Sequence, residues 1–331
     1  MCKHLIFYSK ILSFLSLVVI QSQVVAQNSW RIEGTVLNQK TQQPIPYVSI
    51  GILNTNVGTV STIKGHFAIR IPTSNSQKML TFYMFGYEQK HIPIEKLKQQ
   101  SSLKIELTEK PITLPEIKIS GRKKFITRHL GVKRSQAGTG VYHGDVEATG
   151  AAIALKLTNP GVPVQVKKVR LKIFKNKLTE FKVRVRFFEV DPHTGKPGKD
   201  LWPGNLVFAS KQKRGWMNID LSNKNIWIDR SAFFLAFEWI EEQKALRDKP
   251  TIQQMYENNK RRAKMTQREI NGVKVTGVRV KGKIRGNMNV TTLFGATIRK
   301  PKGMECYARK SSLGKWKKQF LLVAGYATIL Y

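Results

Sequence analysis

Cysteine is nearly absent. Of 331 residues only Cys2 and Cys306 carry a thiol, which excludes a disulfide framework as the source of stability. Histidine is scarce as well, with six in all, and none of His66, His91, His129, His143 or His193 has a glutamate three residues on. The His-x-x-Glu zinc pair of a metallocarboxypeptidase is therefore missing. There is no Gly-x-Ser-x-Gly elbow, no phosphate-cradling Walker sequence and no Gly-x-Gly-x-x-Gly spacing. Cys306, between Glu305 and Tyr307, has no evident histidine partner in sequence. No catalytic residue, metal or cofactor is expected. A carboxylate pair that meets only in space is the remaining route to an enzyme, a hydrolase whose site leaves no motif. Acids are few, 21 against 57 lysines and arginines, for a formal charge of +36.

Long apolar runs are also lacking. Ile11 to Ile20 follows Lys3 and Lys10 and leads to Val24-Val25-Ala26. It is too short to span a bilayer and matches a secretory signal peptide cleaved after Ala26. Cys2 precedes the apolar run and leaves with the leader. The expected compartment is the periplasm or the outer membrane and cell surface. At about 305 residues (331 minus 26) the mature chain is long enough to bury a core without staples.

What is present is β pattern. Ile32-Gly34-Val36, Val48-Ile50-Ile52, Phe67-Ile69-Ile71, Leu80-Phe82-Met84 and Leu103-Ile105-Leu107 alternate with polar residues at period two. Turn residues separate these runs, among them Pro44, Pro46, Gly58 and Gly65. Tyr87, after Gly86, is expected as a core or corner tyrosine. From Trp30 to Leu107 these residues, with Thr59 and Gly86-Tyr87, resemble the carboxypeptidase-like regulatory domain, a transthyretin-like β-sandwich found at the N-terminus of envelope proteins of the Bacteroidetes type. The resemblance implies a fold and an envelope setting, not an activity. One departure is Thr62 after Ser61, where the family usually carries an acid. The following Lys110 to Gly121 is similar to the segment that joins this domain to the plug of TonB-dependent receptors, although the stretch to Tyr331 leaves no room for a transport barrel.

The stretch Gly138 to Gly144 is read as a turn between strands. From Val164 the strand signal strengthens, through Val169-Leu171-Ile173, Phe181-Val183-Val185-Phe187, Arg214 to Leu221, Asn225 to Ile228 and Ala232 to Ile240. These strands and the Asp191 to Gly204 loop resemble a jelly-roll-like second domain. Trp216, Trp227 and Trp239 lie inside strand patterns and are expected in the core. Trp202, in the loop, is the exposed candidate for ligand contact. Glu241 to Gly272 breaks the β pattern: Ile252, Met255, Tyr256 and Asn259 have helical spacing before the basic Lys260-Arg261-Arg262, which reads as a short amphipathic helix or a disordered basic excursion, and Val273 to Val280 is strand-like. The end, from Trp316, reads as a terminal strand pair.

The chain is thus expected to be all-β, with residues 1–26 a signal peptide and 27–109 an N-terminal seven-stranded transthyretin-like β-sandwich. Residues 110–150 are a linker and irregular segment, and 151–331 a second, jelly-roll-like β-sandwich with a short helical and basic insertion. Residues 111–331 hold +29 of the charge, after +2 in the leader and +5 in 27–110. Such a field attracts polyanions. Export makes nucleic acid an unexpected partner and favours an envelope glycan, a lipopolysaccharide surface or an acidic protein, with peripheral outer-membrane association. The expected function is non-enzymatic binding of an envelope glycan. The alternative is a scaffold or adaptor subunit of an outer-membrane assembly.

Overall fold

The computed structural model describes residues 29–97, 102–111, 125–135, 140–141, 149–161, 163–176, 178–240, 263–270, 273–280, 292–297 and 303–331. They are nearly all β. The first sandwich sets β4 (His66–Pro72), β1 (Ser29–Asn38) and β7 (Leu103–Leu107), in that order, against a second sheet. That sheet runs β3 (Gly58–Val60), β2 (Ser49–Gly51), β5 (Met79–Tyr83), β6 (Lys90–Pro93). The alternation seen in sequence is the packing: Ile32, Val36, Phe67, Ile69 and Ile71 meet Ile50, Leu80 and Phe82 in one buried cluster. Phe67 and Phe82 touch edge to face at 5.5 Å. A single turn of helix, α1 (Ile94–Leu97), drops Ile94 and Leu97 into the same core. Tyr87 packs on its margin.

Two local features explain how this sheet pair closes. Thr62 takes over at the turn where an acid is usual, its hydroxyl accepting the His66 amide at 3.2 Å while its carbonyl accepts that of Gly65. Gly34 lies where β1 and β7 approach most closely, and an added Cβ would sit 2.4 Å from the Leu103 carbonyl oxygen. Gly34→Ala is therefore expected to force the two strands apart and to cost about 1–3 kcal/mol in chemical denaturation, as overpacking does.

The second sandwich is larger. One sheet runs β13 (Pro197–Asp200), β12 (Phe181–Val190), β17 (Ala232–Ile240), β10 (Ala152–Thr158), β21 (Cys306–Arg309), β22 (Lys317–Lys318), with β14 (Leu206–Ser210) also on β12. The other centres on β11 (Val164–Asn176). Against β11 lie β15 (Gly215–Asp220) and β16 (Ile226–Ile228), and also β24 (Gly325–Leu330) and β20 (Thr292–Thr297). Beyond these come β8 (Thr127–Gly131) on β24, and β9 (Gly140–Val141) and β23 (Leu322–Val323) on β20. Ile153, Val183 and Phe237 of one sheet share a core with Val169, Leu171 and Ile329 of the other. The 110–150 stretch thus supplies two strands to this sheet, and Gly140-Val141, read as a turn, is one of them.

β17 shows no alternation: eight of the nine residues in A-F-F-L-A-F-E-W-I are buried. A strand that is apolar throughout must be covered on both faces. The inner face meets the other sheet, and the outer face carries Ala236 and Phe234, which pack with Phe188, Tyr307 and Trp316.

Three expectations need correction. Trp239 is buried and stacks on Phe181 at 5.6 Å, but Trp216 and Trp227 are half-buried on the outward face of their sheet, not in the core. Each sits at an outward position of its strand, between buried neighbours such as Met217 or Ile226 and Ile228. The insertion is not helical over its second half, because Ala263–Ile270 forms β18, paired antiparallel with β19 (Val273–Val280). Asn271-Gly272, the residues between them in sequence, is a strong hairpin signal. The helical spacing at Ile252 to Asn259 lies outside the described residues. The terminal pair is instead three strands, and the chain passes from one sheet at β22 to the other at β23 and β24.

Candidate functional site

Part of the outer face of the β12–β17 pair is closed off from water: the first sandwich docks there through Tyr47, Ser49 and Val60, and Trp316 covers Phe188. Alternation along β12 aims Arg184 and Arg186 outward, opposite buried Val183, Val185 and Phe187. Glu238 of β17 pairs across to Arg184. The Arg184 guanidinium donates to a Glu238 carboxylate oxygen at 2.9 Å, to the Tyr47 carbonyl and to the Ser49 hydroxyl at 3.0 Å. One arginine thus ties an acid of the second sandwich to backbone and side chain of the first.

Around it a network closes. Arg186 grips Asp200 through two nitrogens and reaches Glu238 at 3.1 Å. Arg309 contributes a longer contact to Glu238 at 3.4 Å, and its guanidinium lies 4.7 Å from the Trp316 ring centre. Tyr83, from the first sandwich, donates its hydroxyl hydrogen to Asp200 at 2.7 Å. Glu238 is wholly buried. Burial alone would push its carboxyl up, but Arg184, Arg186 and Arg309 outweigh that and hold it at about 2. Burial also drives the Tyr83 hydroxyl up, and Asp200 adds to the effect. Arg186 is pushed upward because its two carboxylate partners outweigh its own desolvation.

Further contacts flank the charges. The Ser312 hydroxyl lies 3.0 and 2.8 Å from the Ile50 and Thr59 carbonyls, and Ser311 donates to the Thr55 carbonyl at 2.9 Å. The Asn54 amide donates to the Leu313 carbonyl, and Asn205 to that of Pro46. Tyr47 and Val60 pack against Ile240 and Val207. A junction with this mixture of buried ion pairs, backbone bonds and apolar contact fixes the two sandwiches in one orientation. Free rotation between domains requires a smaller or wetter interface.

Trp202 stands at the edge of this junction. It is half-buried and packs on the core of the second sandwich, with its indole nitrogen pressed toward Gly204. The cleft it shares with Ser49, Tyr83, Arg184, Arg186 and Asp200 is small, a cavity of about 20 Å³. That is room for a water or two. Arg184, Arg186, Asp200, Glu238, Arg309 and Tyr83 were not singled out by sequence reasoning. The legible signal was the unbroken apolar β17 with a single acid inside it, since a buried acid must find cations.

The described residues assemble no group of three or more His, Cys, Asp or Glu side chains able to hold a metal. The junction's carboxylates are both engaged by arginines, and Glu238, ionised at every ordinary pH, has no proton to give as a general acid. Chemically, the arrangement is a lock.

No curated protein matches this chain. The first sandwich does find a counterpart: residues 32–119 match the family model of the CarboxypepD_reg-like domain.

Proposed function

We propose that the chain is an exported, non-enzymatic binding protein of the cell envelope that takes an envelope glycan, with the first sandwich as a fixed spacing and docking module and the second as the ligand-bearing unit. The observation that carries this reading is where the charge goes. The junction uses three arginines and two carboxylates, a net of +1 out of the +29 in residues 111–331. By subtraction, +28 of that stretch's formal charge is left over from the junction's ion pairs, and a field of that size attracts an anionic surface. The fixed junction also favours a second reading, an adaptor subunit that holds an envelope assembly at a set spacing.

Retention of the leaderless protein on immobilised neutral glycans, acidic glycans, lipopolysaccharide and DNA, at low and high salt, tests this. Retention on one acidic glycan above that on the other polyanions is expected, weakened but not abolished by salt, and Trp202→Ala in the same assay reports whether the loop aromatic touches it. Retention on every polyanion alike, lost with salt, contradicts the glycan reading and leaves the adaptor, whose signature is co-purification with a membrane complex.

A further inference from the structure

The outward face of the β11 sheet carries a different arrangement of cations from that of the junction. Along β11, Val169, Leu171 and Ile173 point into the core, and Lys168, Arg170 and Lys172 occupy the outward positions between them. Outward neighbours on a strand are about 7 Å apart, so the three cations form a row roughly 13–14 Å long. Beside the row, β15 sets Trp216 opposite Lys172 and β24 sets Tyr326 opposite Arg170. His129 of β8 faces Thr328 and bonds to its hydroxyl at 2.9 Å.

The aromatic rings form a file. Trp216 meets Tyr326 edge to face at 5.4 Å, and His129 meets Tyr326 likewise at 5.4 Å. The Lys172 ammonium sits 5.4 Å from the Trp216 ring centre, and the Arg170 guanidinium 5.8 Å from that of Tyr326, with a hydrogen bond to its hydroxyl at 2.8 Å. Here cations lean on rings, whereas in the junction they are met by carboxylates. A ring attracts a cation without cancelling its charge, and among the described residues neither Lys172 nor Arg170 has a carboxylate partner. The rings therefore hold these charges in position while leaving them unneutralised, which lowers the ordering cost of binding an anion. Asp220, on this face, lies opposite Lys168, accepts from Ser222 and is also held below its ordinary range in part by the Lys168 charge, so Lys168 is the weaker end of the row. The positive field is felt at His129, whose imidazole is pushed below its ordinary range by burial first, then by Lys133 and Arg170.

We propose that this face binds an acidic polysaccharide laid along β11, its carboxylates or sulfates meeting Lys168, Arg170 and Lys172. A linear row calls for a linear ligand with repeating charge. Single-stranded nucleic acid needs open ring faces on which bases stack. Here the rings are turned on one another, and Tyr326 is almost fully covered. Asn218, exposed beside Arg170, and Thr328 offer hydrogen bonds to sugar hydroxyls.

The inference rests on reading the protein as a glycan binder, and the test separates the two. The leaderless protein is titrated with an oligogalacturonate, its neutral methyl ester, lipopolysaccharide micelles and single-stranded DNA. Three variants accompany it: Arg170→Gln with Lys172→Gln, Lys168→Gln alone, and a control, Lys40→Gln with Lys64→Gln, on the exposed first sandwich. The expected result is oligogalacturonate binding that the methyl ester does not reproduce, weakened roughly tenfold or more by the double variant and unchanged in the control. Lys168→Gln, which disturbs no ring contact, is expected to weaken binding by a smaller factor and keeps the test valid if the double variant does not fold. Equal losses in the control, or DNA bound as tightly as the oligogalacturonate, overturn the site in favour of a generic field. Binding of the neutral ester or of lipopolysaccharide alone overturns the site and leaves the envelope-binding reading standing. Binding of none of the four overturns both.

Discussion

Glu238→Gln lowers the stability of the whole molecule by about 3–5 kcal/mol, the range for removing one partner of a buried ion pair. The reason is the arginine cluster left behind. Glu238 meets Arg184 at 2.9 Å, Arg186 at 3.1 Å and Arg309 at 3.4 Å, and none of the four side chains is more than 10% exposed. With the charge gone, Asp200 alone faces three buried guanidinium groups. An exposed pair gives the contrast. Lys318 and Glu305 form an ion pair with side chains 58% and 25% exposed, and Glu305→Gln is expected to cost no more than about 1 kcal/mol. Urea denaturation of the two variants beside the parent measures both. Equal small losses would show that the buried network contributes little beyond its surroundings.

Acid weakens the same lock. Glu238 ionises at about 2 in the folded protein against an ordinary value of 4.5. The folded carboxyl is depressed, so its contribution is complete above about pH 4.5 and is lost as pH falls from there toward 2. A depression of about 2.5 pH units corresponds to roughly 3 kcal/mol. Asp191 and Asp220, on the surface, also ionise below their ordinary range because backbone and hydroxyl groups bond to them. Some acid sensitivity therefore persists without Glu238. Denaturation midpoints measured at neutral pH and at steps down through this window are expected to fall steeply in the parent and shallowly in Glu238→Gln. Parallel curves for the two proteins would place the acid sensitivity elsewhere.

The strands were legible where polar residues alternate with apolar ones. In β4 the run F-A-I-R-I reads directly as Phe67, Ile69 and Ile71 inward, and β12, whose arginines face the junction rather than water, shows the same for Val183, Val185 and Phe187. The pattern gives a period but not which side of a sheet is inner, so Trp216 and Trp227 were expected inside and stand outward. Met265 to Ile270 carried no alternation strong enough to outweigh the helical spacing before it. Cross-strand pairing with Val273 to Val280 decides that stretch, and pairing is a property of two segments. The junction was invisible for the same reason: Arg184 lies 54 residues from Glu238 and 135 from Ser49. What sequence did offer was β17, an apolar strand with an acid in it, and β12, where arginines take the positions expected to face solvent. Read together they imply a buried ionic layer and hence a covering partner.

The two sandwiches are joined as one body through Arg184, Arg186, Glu238, Asp200 and Tyr83. Scanning calorimetry of residues 27–331 at neutral pH tests this. A single cooperative transition is expected, moving as a whole to lower temperature in Glu238→Gln. Two separate transitions, with one of them unchanged by that substitution, would contradict it.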